Sequence, residues 1–296
     1  MINTVLKFLR RVGLIDDVSA VDVNVIITRH FILHVKERTR RNIYFIKVAA
    51  HEFLKREYKG LSIANDGLRP YVPKAVAFGV EQGLSILVCE SERVDILRPR
   101  HLSPRRSMIT RDLFNIFAKT VDVFSVTDKG PAHTEILLDK LRDIGDRDVK
   151  KAMTKHLDRM DISEIDRTLH ISQHGDFVMR NLGIRRSTGG VVVFDWEDFG
   201  RVTLAGMDVA TFLASSVHFD SKKILAILSR KDATVAGDLY VAAMKILGID
   251  LALTKLLFPI YMVHFLDLKI NLKYSDDVVS RVNKTICELC DGISGG

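Results

Sequence analysis

Three polar residues in the middle of the chain have types and spacing that could hold a metal beside a reacting group. Asp176 and Asn181 belong to the segment HGDFVMRN, and Asp195 follows after two short apolar runs. These runs flank the turn at 187–190 and predict a β-hairpin. The midpoint of positions 181 and 195 is 188, inside this turn. The hairpin is therefore expected to place Asn181 opposite Asp195 at its open end.

An amide oxygen and a carboxylate held together are ligands that suit Mg²⁺, which also binds phosphate oxygens. Asp176 lies one short loop before Asn181, where a carboxylate could accept the proton of a nucleophile. Phosphoryl transfer also needs a cation for the phosphates. Lys47, at the end of an apolar run, is the candidate. Glu57 shares a predicted helix face with Leu54 and Leu61, and a glutamate on an apolar face needs a partner.

The elements that would position these residues change in character along the chain. Segments rich in β-branched and aromatic residues predict strands at 23–27, 31–35, 42–48, 72–79 and 84–89. Helical periodicity predicts helices at 49–64, 107–126, 133–144, 148–159 and from 208 onward. The pattern predicts an α+β protein with a β-rich part (1–90), a mostly helical part (91–296) and a cleft between them.

Composition excludes several classes of protein. Of 296 residues, 47% are hydrophobic and 27% charged, as in ordinary globular proteins. The longest apolar stretch, 256–266, is interrupted by Pro259 and His264 and is shorter than the ~20 residues that span a bilayer. The N-terminus lacks the charge order of a secretory signal. Three cysteines are too few for a disulfide framework. We therefore expect a cytoplasmic protein without stable membrane insertion; the sequence gives no indication of oligomeric state.

The net charge is +7, and arginines cluster at two places. One cluster lies at 38–41 and the other spans 98–111. Neither contains the interleaved aromatics of a single-strand binder, so we expect no nucleic-acid partner. The first cluster is interpreted as a solvated loop. The second follows the boundary between the two parts and remains open as a contact for an anionic substrate.

The order of these motifs resembles that of the aminoglycoside-phosphotransferase and choline-kinase-like family. The shared features are His-Gly-Asp, a gap of four residues, Asn, and then Asp-Trp-Glu after a hairpin, and the likeness extends over about residues 43–213. The resemblance implies a bilobal protein-kinase-like fold that uses ATP and Mg²⁺. It further implies that Asp176 is catalytic, that Asn181 and Asp195 bind Mg²⁺, and that Lys47, paired with Glu57, holds the ATP phosphates.

The resemblance also assigns residues around the nucleotide. Segment 87–90 becomes the hinge, with the backbone at Glu90 meeting adenine. The phosphate-covering turn falls at Thr28 and Arg29; it has no glycine, and these side chains would replace backbone contacts. Arg180 departs from the small residue often found before the asparagine. Asp208 corresponds to a structural aspartate near the catalytic loop.

Several residues allow a second interpretation. His174 is interpreted as a packing and hydrogen-bonding residue rather than a proton carrier. Asp198 is interpreted as solvated or bonded to its loop rather than as a third metal ligand, and Trp196 as core. His218, Tyr261 and His264 could line the substrate side of the cleft, although helix packing is the simpler interpretation.

The sequence favours a kinase that phosphorylates a hydroxyl of a small molecule such as a sugar, an aminoglycoside or another metabolite. The net charge of +7 and the arginines at 98–106 favour a sugar or an anionic metabolite as the substrate. A protein kinase is the first alternative, but Gly175 occupies a position where protein kinases usually carry arginine, and no activation segment is recognisable. A catalytically silent nucleotide-binding scaffold is the second, supported only by the glycine-free turn.

Overall fold

The computed structural model describes residues 1–27, 30–38, 43–50, 54–103, 105, 107–126 and 130–294. The N-terminal part contains a five-stranded antiparallel sheet with the order β1-β2-β3-β5-β4. Its strands are β1 (Val21–Ile27), β2 (Phe31–Glu37), β3 (Ile43–Ala50), β4 (Ala75–Glu81) and β5 (Leu84–Glu90). Helix α1 (Ile2–Arg11) precedes the sheet, and α2 (Lys55–Gly67) connects β3 with β4.

The two faces of this sheet have different neighbours. Successive side chains of a strand point to opposite faces. In β3, Tyr44, Ile46 and Val48 belong to an apolar cluster with buried residues of α1. Phe45 and Lys47 therefore lie on the other face, where they line a cleft. The alternation explains how a lysine inside an apolar strand reaches a polar site.

Helix α2 carries a carboxylate toward the interior. Its buried residues are Glu57, Gly60, Leu61 and Ala64, a spacing that puts them on one face. The inward position expected for Glu57 is therefore confirmed. The predicted helix began too early, because β3 continues through Ala50, paired with Leu84 of β5. Residues 51–53 lie outside the described part of the chain.

The C-terminal part combines a small sheet with a set of helices. The sheet has the order β6-β7-β8 and consists of β6 (Val94–Ile96), β7 (Leu182–Arg185) and β8 (Val191–Val193). The helices are α3 (Ser107–Phe124), α4 (His133–Asp143), α5 (Arg147–Leu157), α6 (Ser163–Asp166), α7 (Met207–Ser216), α8 (Ser221–Leu228), α9 (Val235–Ile246), α10 (Leu251–Asn271) and α11 (Asp276–Ser294). A β-rich first part followed by a mostly helical second part confirms the predicted α+β fold.

Helix α10 is the centre of the helical part. It continues through Pro259, and residues 257–266 are all buried. It contacts α4, α7, α9 and α11. By length and composition α10 alone among the described helices could cross a membrane, but a buried core helix meets the same criteria. Its surroundings here are protein.

Candidate active site

The segment 174–181 is held in place by the first turn of α7. The Asp208 carboxylate accepts hydrogen bonds from the backbone N–H groups of His174 (2.6 Å) and Gly175 (2.9 Å). Burial raises the pKa of Asp208, although His174 and the two N–H donors act in the opposite direction. Asp208 thus has the structural position that was expected for it, and it fixes the backbone just before Asp176.

His174 serves packing and hydrogen bonding. Its Nε2 lies 2.8 Å from the carbonyl oxygen of Phe194, and its Nδ1 lies 3.3 Å from the backbone nitrogen of Asp176. The ring meets Trp196 edge-on at 4.8 Å, and Trp196 is itself buried, as predicted. Both ring nitrogens have partners, so the imidazole links the loop to the end of strand β8. The structure agrees with the packing interpretation of this histidine.

Gly175 occupies a position that no side chain could enter without displacing its neighbours. Its φ is +91°, in the left-handed region, and a Cβ there would lie 2.9 Å from the carbonyl oxygen of Asp198. This loop therefore does not accommodate an arginine at position 175. Asp198 is buried and forms an ion pair with Arg201 (Oδ1 to Nε, 3.2 Å). The solvated interpretation of Asp198 is wrong, and the loop-bonded interpretation is correct.

Asp176 is buried, and its two carboxylate oxygens have different surroundings. Oδ2 accepts hydrogen bonds from the Asn181 amide nitrogen (3.0 Å) and from the Arg180 guanidinium (3.2 Å). Oδ1 lies 2.8 Å from the ammonium of Lys269, but the two groups are not aligned as a hydrogen bond. Within the described chain, Oδ1 accepts no hydrogen bond. One oxygen of Asp176 is thus used for positioning, and the other retains lone pairs.

Lys269 is a residue of this site that sequence analysis missed. It lies near the end of α10, has no exposed surface, and contacts the ring faces of Phe265 (4.7 Å) and Tyr274 (4.3 Å). Arg180 donates to the Tyr274 hydroxyl (3.0 Å) and stacks on the same ring. A lysine in an apolar helix was the available signal. Its partner is remote in sequence, so only the packing of α10 reveals the pair.

The predicted hairpin forms, but its register differs by one residue. Leu182 pairs with Val193, and the N–H of Phe194 donates to the carbonyl oxygen of Asn181 (2.8 Å). Asn181 therefore lies opposite Phe194 rather than Asp195. The reason is that the turn lies one residue earlier than predicted, because the carbonyl oxygen of Gly190 already accepts a bond from the N–H of Arg185 and the N–H of Gly189 donates to the carbonyl oxygen of Arg185. Asp195 follows the ladder in a left-handed conformation (φ 62°, ψ 63°), which is uncommon for aspartate and often found at functional sites.

Lys47 brings the two parts of the molecule together. Its ammonium lies 2.9 Å and 3.1 Å from the two carboxylate oxygens of Glu57 and 2.6 Å from Oδ1 of Asp195. Burial alone would lower the pKa of Lys47, but the two carboxylates outweigh it and raise the pKa. Lys47 in turn holds the pKa of Asp195 below its usual range, although burial acts against it. The fully enclosed Glu57 has a raised pKa because burial outweighs Lys47.

A cleft of about 760 Å³ lies beside this group of charges. Much of its wall is apolar, with Ile32, Phe45 and Val94 among the lining residues, and Lys47 and Asp195 lie in it. An apolar cavity with a few convergent polar groups is the usual form of a small-molecule site.

Glu90 also lines the cleft, but the segment predicted as the hinge lies inside strand β5. Its residues pair with β3, and the N–H of Glu90 donates to the carbonyl oxygen of Lys74 (2.9 Å). The connection between the sheets is 91–93, between β5 and β6. Thr28 and Arg29, the predicted phosphate turn, lie outside the described residues. The adjacent His30 is described, and its Nε2 lies 3.0 Å from Glu197.

The donor set of Asn181 and Asp195 fits a magnesium ion. The amide nitrogen of Asn181 is used by Asp176, which leaves the amide oxygen for a cation. Asp195 gives Oδ1 to Lys47 and retains Oδ2. No cluster of three or more His, Cys, Asp or Glu suited to a metal occurs in the described part of the chain. Magnesium commonly takes one or two protein oxygens and completes its shell with phosphates and water, and two residues with oxygen donors match that requirement by number and type.

The other predicted substrate-side residues have different surroundings. Tyr261 and His264 are buried in α10, and the Tyr261 hydroxyl donates to the carbonyl oxygen of Ala205 (2.9 Å), so helix packing is the correct interpretation for both. His218 is exposed and lines a second, smaller cavity on the far side of Arg180. Of the three candidates, His218 therefore lines a cavity, whereas Tyr261 and His264 do not.

Comparisons with known proteins identify the fold. The chain superimposes on an ethanolamine kinase of Plasmodium vivax with a TM-score of 0.63 at 12% identity, covering 98% of this chain and 86% of that one. It superimposes on a thermostable mutant of aminoglycoside phosphotransferase APH(4)-Ia, in a ternary complex with ADP and hygromycin B, with a TM-score of 0.60 at 13% identity, covering 99% and 100%. For choline kinase LicA of Streptococcus pneumoniae the TM-score is 0.56 at 14% identity, with 98% of both chains covered.

No family model and no curated protein sequence matches the chain. At these identities the structural likeness establishes the fold and not the activity. The chain has the bilobal protein-kinase-like fold of choline kinases, ethanolamine kinases and aminoglycoside phosphotransferases. The fold implied by the sequence resemblance is confirmed.

Proposed function

We propose that the protein is an ATP-dependent phosphotransferase that moves the γ-phosphoryl group to a hydroxyl of a small molecule. The observation that carries the proposal is the convergence of Lys47, Glu57 and Asp195 at one cleft, with Asp176 and Asn181 beside it. Phosphoryl transfer requires positioning and charge stabilisation more than covalent chemistry, and these groups supply both. Solved structures of the same fold hold ADP in one case and AMP-PNP in another, which supports ATP as the phosphate donor.

Each residue of the group has a distinct role in this proposal. Lys47 binds phosphate oxygens of ATP, and Glu57 keeps its ammonium directed into the cleft. Asp176 accepts the proton of the acceptor hydroxyl at Oδ1, the oxygen that lies 2.8 Å from the ammonium of Lys269 and accepts no hydrogen bond within the described chain. Lys269 and Arg180 position the carboxylate of Asp176. Asn181 and Asp195 hold Mg²⁺, which when bound neutralises phosphate charge.

The acceptor is proposed to be a small molecule rather than a protein. The neighbours of known name act on ethanolamine, choline or an aminoglycoside. Gly175 cannot become the arginine that anchors an activation segment, because Asp198 fills the space. Only a short connection, residues 196–206, separates Asp195 from α7. Both observations weigh against the protein-kinase alternative.

The test is magnesium-dependent nucleotide binding and turnover. We expect ATP with Mg²⁺ to raise the melting temperature, and we expect Asp176→Asn to retain this shift while turnover falls by about 10²- to 10⁴-fold. Asp232→Asn, in an exposed loop, is the matched control and should behave as wild type. Absence of a nucleotide shift in the wild type contradicts the proposal. Nucleotide binding without turnover in a broad screen of alcohols and sugars supports the silent-scaffold alternative instead.

A further inference from the structure

A second cavity, of about 320 Å³, is lined by Arg180 and Lys269, the two cations that contact the carboxylate of Asp176. Its apolar wall includes Val178 of the segment 174–181, Phe219 in the connection after α7, and Phe265 of α10. Arg180 lines this cavity and also the larger cleft, so its side chain separates the two. An acceptor in the smaller cavity would therefore lie next to the two side chains that hold Asp176.

The polar groups of this cavity are almost all cationic. The basic residues that line it are Arg98, Arg180, His218, Lys269 and Arg281, and none of the described residues that line it is an aspartate or a glutamate. Arg180 and Lys269 share Asp176. Arg98 and Arg281, in contrast, form no ion pair with any residue that the structure describes. Two arginines without counter-ions at one cavity point to an anion supplied by the ligand.

A cationic ligand has no place in this cavity. A substrate ammonium is recognised by carboxylates or by the faces of aromatic rings. Carboxylates are absent from the described lining. Its two aromatic rings, Phe219 and Phe265, stack on each other (5.6 Å), and Phe265 also contacts the ammonium of Lys269 (4.7 Å). The protein's own lysine thus already uses one of the two rings.

The wall near His218 is held in an unusual conformation. His218 and Phe219 are consecutive residues with positive φ (58° and 60°), which is uncommon outside glycine and is maintained only by strong surroundings. The carbonyl oxygen of Phe219 accepts a bond from the Thr285 hydroxyl (2.8 Å), and the N–H of Phe219 donates to Ala214 (2.7 Å). These bonds keep the imidazole of His218 at the cavity.

We infer that the acceptor is an anionic hydroxyl compound, with a carboxylate or phosphate held by Arg98 and Arg281 and a hydroxyl directed at Asp176. The inference rests on the proposed function and names the substrate class. In the transfer, the acceptor oxygen forms a bond to the γ-phosphorus, and the bond between that phosphorus and the β,γ-bridging oxygen breaks, its electron pair leaving with ADP. The proton of the hydroxyl passes to Oδ1 of Asp176. An anion in the cavity also gives Arg180 a partner other than Oδ2 of Asp176.

The test uses sets of acceptors that share a carbon skeleton and differ in charge. One set is gluconate, glucose and glucosamine; the other is glycerate, glycerol and 2-amino-1,3-propanediol. ADP formation above the acceptor-free rate is measured with full-length protein, ATP and Mg²⁺. We expect the anionic member to exceed its neutral and cationic partners in kcat/KM by at least about tenfold, the effect of one charge-assisted hydrogen bond. Glucose 6-phosphate compared with gluconate distinguishes phosphate from carboxylate.

Two variants locate the effect in the cavity. Arg98→Glu and Arg281→Glu, both at exposed positions, should raise the KM for the anionic acceptor by at least about tenfold. Arg147→Glu makes the same charge change on α5, away from both cavities, and should leave this KM unchanged. Preference for a cationic or neutral member, or no stimulation by any anionic member while ATP is still hydrolysed, overturns the inference alone. Absence of ATP binding by the wild type contradicts the proposed function instead.

Discussion

The two cavities on either side of Arg180 differ in the sign of charge that the protein provides. The larger cleft is lined by more carboxylates than cations: the cations are Lys47, Arg180 and Lys273, and the carboxylates are Glu57, Glu90, Glu92, Asp195 and Glu197. The smaller cavity presents arginines and a lysine, and no carboxylate lines it in the described chain. An anionic nucleotide suits a cleft with excess carboxylate only when a divalent cation comes with it. In the smaller cavity, where no metal is expected, the positive charge for an anionic ligand has to come from the protein's own arginines and lysine.

The largest expected effect tests the cleft. Lys47→Met should lower kcat/KM for ATP by about 10²- to 10³-fold, because Lys47 is the cation that the proposal assigns to the phosphates. Steady-state kinetics measure it. Lys36→Met, at an exposed position of β2, is the control and should keep wild-type kinetics. If Lys47→Met and Lys36→Met have equal kinetics, Lys47 does not bind the phosphates of ATP.

The next largest effect tests the ion pair between Lys269 and Asp176. Lys269→Met should lower kcat by about 10²-fold, because Asp176 loses its neighbour and a displacement of the reacting group is costly. It should also reduce the free energy of unfolding by about 3 to 5 kcal/mol, since a fully buried ion pair loses one partner. Rescue of kcat by Lys269→Arg indicates a positioning role.

A second ion pair of α10 separates stability from activity. Lys140 and Asp267 are 2.5 Å apart and largely buried, away from both cavities. Lys140→Met should lose about 2 kcal/mol of stability and retain kcat. If Lys140→Met and Lys269→Met lower kcat equally, the effect of Lys269 is only structural.

A smaller effect concerns the carboxylate beneath Gly175. Burial raises the pKa of Asp198 to about 6 in the folded protein. A carboxyl group with a raised folded pKa binds more protons when folded, so its contribution to stability is lost as pH rises from about 4 to 6. Asp198→Asn should therefore gain up to about 3 kcal/mol relative to wild type at pH 7 compared with pH 3.5. Urea unfolding of both proteins across this range measures it; a pH-independent difference contradicts the assignment.

The smallest effect is the salt dependence of the second cavity. Arg98 and Arg281 are exposed, so their attraction for an anionic acceptor is screened as the Debye length falls from about 10 Å at 0.1 M to about 3 Å at 1 M salt. The KM for such an acceptor should rise severalfold over this range. In Arg281→Glu the KM should rise less with salt concentration. If the salt dependence of the KM is the same as in wild type, Arg281 does not contact the acceptor.

Local patterns were sufficient to predict the residues that lie within one element. The period of α2 placed Glu57 inward, and the alternation of β3 explains the direction of Lys47. Strands with many β-branched residues were found close to their predicted bounds. The three-residue strand β6 was not predicted, because a segment that short has no detectable period.

Features that depend on distant packing were not predictable. The ion pair between Asp176 and Lys269 joins the catalytic segment to a helix far away in the chain. The hairpin register depended on whether Gly190 joins the strand or the turn, which residue types alone do not decide. The separation of charges between the two cavities likewise becomes visible only after α10 and α11 are packed beside the loop 174–181.

The most direct test of the central claim is transfer of label from [γ-³²P]ATP into low-mass compounds. Wild-type protein and Asp176→Asn are incubated with Mg²⁺ and a protein-free metabolite extract, and the products are separated by anion exchange. We expect a labelled small molecule, distinct from ATP and inorganic phosphate, that is formed by the wild type and is lost with Asp176→Asn or without Mg²⁺. Label that remains in ATP and inorganic phosphate with both proteins, or that is found on protein, would contradict it.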